Sequence, residues 1–221
     1  MTHSENQKFD TGYGLRKFPT IFSQSITFTK KSYMKLAIFA SGNGTNAQRI
    51  IEYFTGMANI KIALVLSNKN DAFVLQRAKT LHVPSFCFTN TELKETNIVQ
   101  EKLKEFQIDF IVLAGFMVKI PDSIIHLYPR KIVNIHPALL PKYGGKGMYG
   151  DHVHKAVIAA REKESGITIH FVNENYDEGK ILLLAKCPVL ENDTPETLAA
   201  RIHKLEHVHY PVIIESLLQE S

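Results

Sequence analysis

The chain has 221 residues, 44% of them hydrophobic and 22% charged, which is the range of a globular protein with a real core and excludes a mainly disordered chain. The net charge of +4 is uneven: residues 1–33 carry five basic residues (Lys8, Arg16, Lys17, Lys30, Lys31) against Glu5 and Asp10, a balance of +3, while residues 34–221 carry 21 against 20, a balance of +1. A body so near neutrality is not a nucleic-acid surface, the longest apolar run (Phe110–Met117) falls well short of the ~18 residues of a membrane helix, and Cys87 and Cys187 lack any disulfide-scaffold or metal spacing, so both are expected as reduced core thiols of a cytoplasmic protein.

Residues 1–33 show no clean period and lack the apolar segment of a secretory signal, so they are expected as a flexible N-terminal extension ahead of a domain spanning 34–221. From Lys35 apolar runs alternate with helical patterns. Leu36–Ala40 is a buried strand, Asn46–Phe54 a helix, Ile62–Leu66 the next strand, and Ala72–Leu81 a helix. Val83–Phe88 is a short strand. A single amphipathic helix is expected through Leu93, Val99, Leu103 and Phe106. Phe110–Ala114 is apolar on both faces, as strands inside a parallel sheet are. Ile132–His136 follows as another strand. This order predicts an α/β fold with a doubly wound, mostly parallel, Rossmann-like sheet. After residue 165 the pattern changes: Ile167–Val172 alternates, Lys180–Lys186 is apolar, and the two form an antiparallel pair joined through Asn173–Gly179. A C-terminal helix opens at Thr194-Pro195-Glu196, with threonine as N-cap and proline in the first turn.

Three places could carry chemistry. Ser41-Gly-Asn-Gly-Thr-Asn46 joins the first strand to the first helix, where backbone N–H groups and the helix dipole favour an anion such as a phosphate. Gly42-x-Gly44-x-x-Ala47 also fits a dinucleotide fingerprint, but the second strand ends in Ser67-Asn68 and not in the acidic residue that would hold a ribose; a turn whose glycines serve packing alone is the third reading. Asn134-Ile-His136-Pro137 ends a buried strand, where open α/β sheets bind ligands. Alternation puts Asn134 and His136 on one side, an amide and an imidazole suited to a developing oxyanion and a proton transfer, although a lone strand-end histidine also fits a structural role. Asp177, in Tyr-Asp-Glu-Gly179, would raise the pKa of a neighbouring histidine and organise water, or simply make a turn. Residues 143–154 hold four glycines and read as a flexible loop beside the site. His152-x-His154 has no clustered third ligand, so no metal is expected.

Taken together these segments resemble the folate-dependent glycinamide ribonucleotide formyltransferase family, over about residues 34–218. The resemblance rests on Ser41–Asn46, Leu66-Ser-Asn-Lys69, Leu113-Ala-Gly-Phe-Met117, Val133-Asn-Ile-His-Pro-Ala-Leu-Leu-Pro-Lys-Tyr143, Gly166–Gly179 and Glu206-His207 with Tyr210-Pro211. It implies that Asn134, His136 and Asp177 are the catalytic trio. It likewise implies that Gly44, Thr45, Asn46 and Glu206 bind glycinamide ribonucleotide, and that Met117, Val118, Lys119 and Ile120, with Asn134, line the folate pocket. The co-substrate so implied is 10-formyltetrahydrofolate, without a metal, in a monomer or weak homodimer whose partners are small molecules and neither nucleic acid nor membrane. Val118-Lys119 inverts the family's basic-then-aliphatic order, and the loop 144–151 is longer and richer in glycine. The alternatives are a formyltetrahydrofolate hydrolase or sugar N-formyltransferase, a nicotinamide-dependent oxidoreductase, and a non-catalytic folate binder.

Overall fold

The computed structural model describes residues 33–219; the expected extension 1–33 lies outside the described residues except for Tyr33. The elements, in order, are β1 (Met34–Phe39), α1 (Thr45–Phe54), β2 (Ile60–Ser67), α2 (Phe73–Thr80), β3 (Ser85–Cys87), α3 (Asn90–Glu95), α4 (Ile98–Glu105), β4 (Phe110–Leu113), α5 (Asp122–Leu127), β5 (Ile132–His136), α6 (Asp151–Ala159), β6 (Glu164–Phe171), β7 (Ile181–Pro188) and α7 (Pro195–Gln219). They build one seven-stranded sheet in the order β3-β2-β1-β4-β5-β6-β7. The first five are parallel, and β6 and β7 are antiparallel, to β5 and to each other.

Strand alternation sorts the apolar side chains into two cores, one per face. Leu36, Ile38, Phe110, Val112 and Val133 meet α1, α2, α6 and α7. Ala37, Phe39, Ile111, Leu113 and Ile132 meet α3, α4 and α5. Because both faces are covered, β1 and β4 are apolar at nearly every position, which is why they show no polar–apolar alternation in sequence. Antiparallel β6 pairs Asn134 with His170 and His136 with Thr168. This register turns the polar residues of the two strands toward each other at the sheet's C-terminal rim.

Four expectations change. The helix expected through residues 93–106 is two helices, because Thr96 is extended and its hydroxyl takes the Glu92 carbonyl at 2.7 Å, the competition with backbone that makes threonine a helix breaker in this position. The first piece is closed at its start by a capping box between Thr89 and Glu92. Residues 151–154 of the expected loop are the first turn of α6. Helix α5 was not anticipated at all, being a six-residue segment too short to show a period. Cys187 is buried, but Cys87 is exposed on the edge strand β3.

The C-terminal helix opens as expected, with the Thr197 N–H donating to Thr194 Oγ1 at 3.3 Å. Its fully buried Tyr210 reaches the sheet, where the hydroxyl lies 3.0 Å from both the Leu113 and the Val133 carbonyl oxygens. One phenol proton is shared by two acceptors, one at the end of β4 and one within β5. Tyr210→Phe should therefore cost about 0.5–1.5 kcal/mol, the net contribution of a buried hydrogen bond whose acceptors also belong to the strand ladder, read as a lowered urea midpoint with an unchanged m-value.

Candidate active site

A cleft of about 670 Å³ crosses the C-terminal ends of β1, β4 and β5 and is closed by the connections after β5 and β6 and by α7. That size is typical of small-molecule sites. Every residue singled out from sequence lines it: Gly44, Thr45, Asn46, Met117, Val118, Lys119, Ile120, Asn134, His136, Asp177 and Glu206.

The Gly42–Asn46 turn forms one end. Gly44 is left-handed at φ +76°, and a Cβ there would collide with Val74, so the turn needs glycine for both conformation and space. Arg77 braces it from outside, donating to the Asn43 carbonyl at 2.9 Å and the Asn43 side-chain oxygen at 2.6 Å and contacting Gln48. Asn46 Nδ2 donates to Glu206 Oε2 at 2.9 Å. Glu206 is buried, and burial raises its pKa against the opposing influence of the Asn46 amide and His203.

The second wall is the segment after β4. Buried Ser41 ties it to the glycine turn: its N–H donates to the Gly115 carbonyl at 3.0 Å, and its hydroxyl accepts from the Met117 N–H at 2.9 Å and donates to Asn68 Oδ1 at 2.6 Å. Ile120 is buried. The Lys119 ammonium is paired with Asp122 at 3.2 Å, so its side chain is committed to the surface and what it offers the cleft is backbone and stem.

At the centre the three side chains predicted from sequence converge, together with a fourth that was not. His170 Nδ1 lies 2.9 Å from the Phe171 carbonyl, so that nitrogen carries the proton, and Nε2 accepts from Asn134 Nδ2 at 3.1 Å. One amide hydrogen of Asn134 is thereby fixed, and the other remains for a ligand. His170 Nε2 is also 3.6 Å from Asp177 Oδ1. Asp177 Oδ2 lies 3.7 Å from His136 Nδ1 and accepts from the Gly145 N–H at 2.9 Å. His136 Nε2 donates to the Tyr143 carbonyl at 2.7 Å, leaving Nδ1, beside the carboxylate, as the nitrogen that can take up a proton. Only the parity of His170 within the alternating strand hinted at its place; the register that sets it opposite Asn134 is a tertiary fact.

Burial dominates His136 and holds its pKa below the ordinary histidine value; Asp177 and the Tyr143 carbonyl pull it up without prevailing, and His170 adds to the lowering. The expected upward pull is present but is outweighed. For Asp177 the balance is reversed. Burial raises its pKa, but the close approach of His170, the hydrogen bond from the Gly145 N–H and the neighbourhood of the two imidazoles together win, so it stays ionised. A neutral imidazole beside an ionised carboxylate is a base at neutral pH. Among the described residues no group of three or more His, Cys, Asp or Glu side chains gathers as metal ligands, and no helix is long and apolar enough to cross a membrane.

A doubly wound sheet thus carries an amide, an imidazole and a carboxylate at its rim, next to a glycine-rich turn at the start of a helix. The family profile described as "Formyl transferase" matches residues 34–214, and the chain belongs to that family. Among its relatives, the chloroplastic phosphoribosylglycinamide formyltransferase of Arabidopsis thaliana is 40% identical over 193 residues, which cover 84% of this chain and 66% of that protein. The phosphoribosylglycinamide formyltransferase of Bacillus subtilis is 39% identical over 190 residues, covering 83% and 94%. The chain thus spans about two thirds of the plant relative's length and nearly all of the bacterial one. The solved phosphoribosylglycinamide formyltransferase of Anaplasma phagocytophilum superposes with a TM-score of 0.78 at 32% identity, covering 85% of this chain and 88% of that one. That of Streptococcus pneumoniae superposes at 0.74 and 37% identity, covering 84% and 99%.

The electrostatic arrangement predicts a direction. In histidine-labelled protein, the NMR titration midpoint of His136 should lie below 6.5, and Asp177→Asn should lower it further by removing the one negative charge that favours the imidazolium; an upward move would contradict the assignment.

Proposed function

We propose that the chain transfers the formyl group of 10-formyltetrahydrofolate to the amine of glycinamide ribonucleotide, a step of purine biosynthesis. The observation that carries this reading is the convergence of Asn134, His136 and Asp177 on one cleft whose far end is the Gly42–Asn46 turn. The cleft's dimensions and its mixed lining suit a phosphorylated amine at one end and a flat heterocycle against Met117–Ile120 at the other, so formyl-folate fits as co-substrate.

In this reading the backbone N–H groups of Gly44–Asn46 and the α1 N-terminus take the substrate phosphate, and Glu206 accepts from ribose hydroxyls. The second Asn134 N–H donates to the formyl oxygen and strengthens that bond as negative charge develops there. His136 takes the proton released as the new C–N bond forms, at Nδ1, and returns it to the folate nitrogen as the old C–N bond breaks. Asp177, 3.7 Å away, supports the transient imidazolium; it stays ionised throughout. His170 holds the Asn134 amide in place. Positioning two bound reactants in this way can supply about 7–11 kcal/mol of the barrier without a covalent enzyme intermediate.

His136→Ala should lower kcat by about 10²- to 10⁴-fold with little change in either KM, measured by the absorbance change of formyl-folate in the presence of glycinamide ribonucleotide. Wild-type consumption that proceeds equally fast without the amine would instead identify a hydrolase, and near wild-type turnover by the alanine variant would remove His136 from the mechanism.

A further inference from the structure

The segment that follows β5 does something besides lead into a loop. Two of its backbone groups, two residues apart, act on the central pair: the Tyr143 carbonyl accepts from His136 Nε2 at 2.7 Å, and the Gly145 N–H donates to Asp177 Oδ2 at 2.9 Å. The first bond favours a protonated imidazole and the second an ionised carboxylate, so the strap acts on both partners in the direction of an ion pair. Burial acts on His136 in the opposite direction.

The strap is not held by its own geometry. Tyr143 is in the left-handed region at φ +56°, which a bulky residue adopts only where its surroundings impose it. A Cβ at Gly144 would press on the end of the Leu140 side chain. One anchor lies outside the cleft. The Tyr143 hydroxyl donates to Glu162 Oε1 at 2.9 Å, and Glu162 sits just past the end of α6. Lys142 Nζ reaches the same oxygen at 2.9 Å from a more exposed position. The Tyr143 ring packs against the core below. A side chain held at ring and hydroxyl thus dictates where its own carbonyl points.

We propose that the Tyr143 phenol and the Glu162 carboxylate form a latch that positions the His136–Asp177 pair, with Tyr143 and Glu162 as positioning residues that touch no substrate. The catalytic consequence rests on the formyl-transfer reading of that pair; the structural one does not. The groups facing His136 are Asp177 from the β6–β7 connection, His170 from β6, His154 from α6 and the Tyr143 carbonyl. The latch adds no charge next to the imidazole and works only by aiming that carbonyl.

The test uses the full chain with [13Cε1]-histidine. Tyr143→Phe keeps the ring and removes only the hydroxyl, while Glu162→Ala removes the acceptor. Both should lower the His136 titration midpoint by about half a pH unit and reduce kcat roughly three- to tenfold with KM held within twofold, and the double variant should be no worse than either single one. Glu162→Gln, whose amide oxygen still accepts from the phenol, should restore both readouts. Lys142→Met should change neither. The proposal is overturned if the two single variants leave the His136 midpoint and the pH profile of kcat where they stand in the parent, if they change only the melting temperature, or if Lys142→Met reproduces their effect. Should the parent transfer no formyl group, the NMR titrations still decide the latch, so the two readings fail separately.

Discussion

The antiparallel register between β5 and β6 decides whether this molecule has a site at all. Asn134 faces His170 and His136 faces Thr168 across that pair. From this follow the Asn134–His170 hydrogen bond, the approach of His170 to Asp177 and the path of the connection that returns Asp177 to His136. A slip of β6 by one residue would turn His170 and Thr168 to the other face of the sheet and away from Asn134 and His136. Several features oppose such a slip. Thr168 Oγ1 accepts from the Leu140 N–H at 3.0 Å and donates to the Ala138 carbonyl at 2.6 Å, pinning the turn after β5. In the neighbouring β6–β7 pair, Gly166 and Gly179 sit where a Cβ would strike the backbone of Ala185 and Phe171, so that pair too is held to one close approach.

The electrostatics of the site depend on this packing. An imidazole and a carboxylate side by side would, in water, favour the imidazolium. Here burial overrides that preference for His136, while the Gly145 N–H and the neighbouring imidazoles preserve the charge of Asp177. The pair is asymmetric, with one member kept neutral by lost solvation and the other kept ionised by fixed donors. Such divergence of neighbouring groups is what acid–base work needs, and it comes from position in the fold more than from residue type. Glu206, at the opposite end, is a third outcome, a carboxyl that burial draws toward neutrality.

Much of this could be read from the residues. The doubly apolar strands announce a parallel sheet covered on both faces, the glycine turn stands where β1 meets α1, and Asn134 and His136 share a side because strands alternate. The antiparallel pair and the capped final helix follow equally local rules. What could not be read depends on distances through space. Thr96 ends a helix by bonding back to Glu92, and the periodicity on either side runs through it unbroken. His170 gains its role from a register that no single strand encodes. The neutral state of His136 reflects how deeply it is buried, and sequence offers only its charged neighbour. Cys87 falls on an edge strand because β3 is outermost, a matter of strand order. The roles of Tyr143 and Glu162 depend on a phenol and a carboxylate meeting 19 residues apart in the chain.

Tyr210 sits at the junction of these themes. Its one hydroxyl joins the last helix to two adjacent strands, immediately before the cleft-lining residues Ala114 and Asn134. The helix that completes the core also carries Glu206 into the cleft. In many enzymes a firmer scaffold comes at the expense of a working centre that needs slack. In this one the hydroxyl that seats the helix also fixes the strand positions from which the cleft lining begins, so the firmness of the scaffold and the shape of the cleft change together.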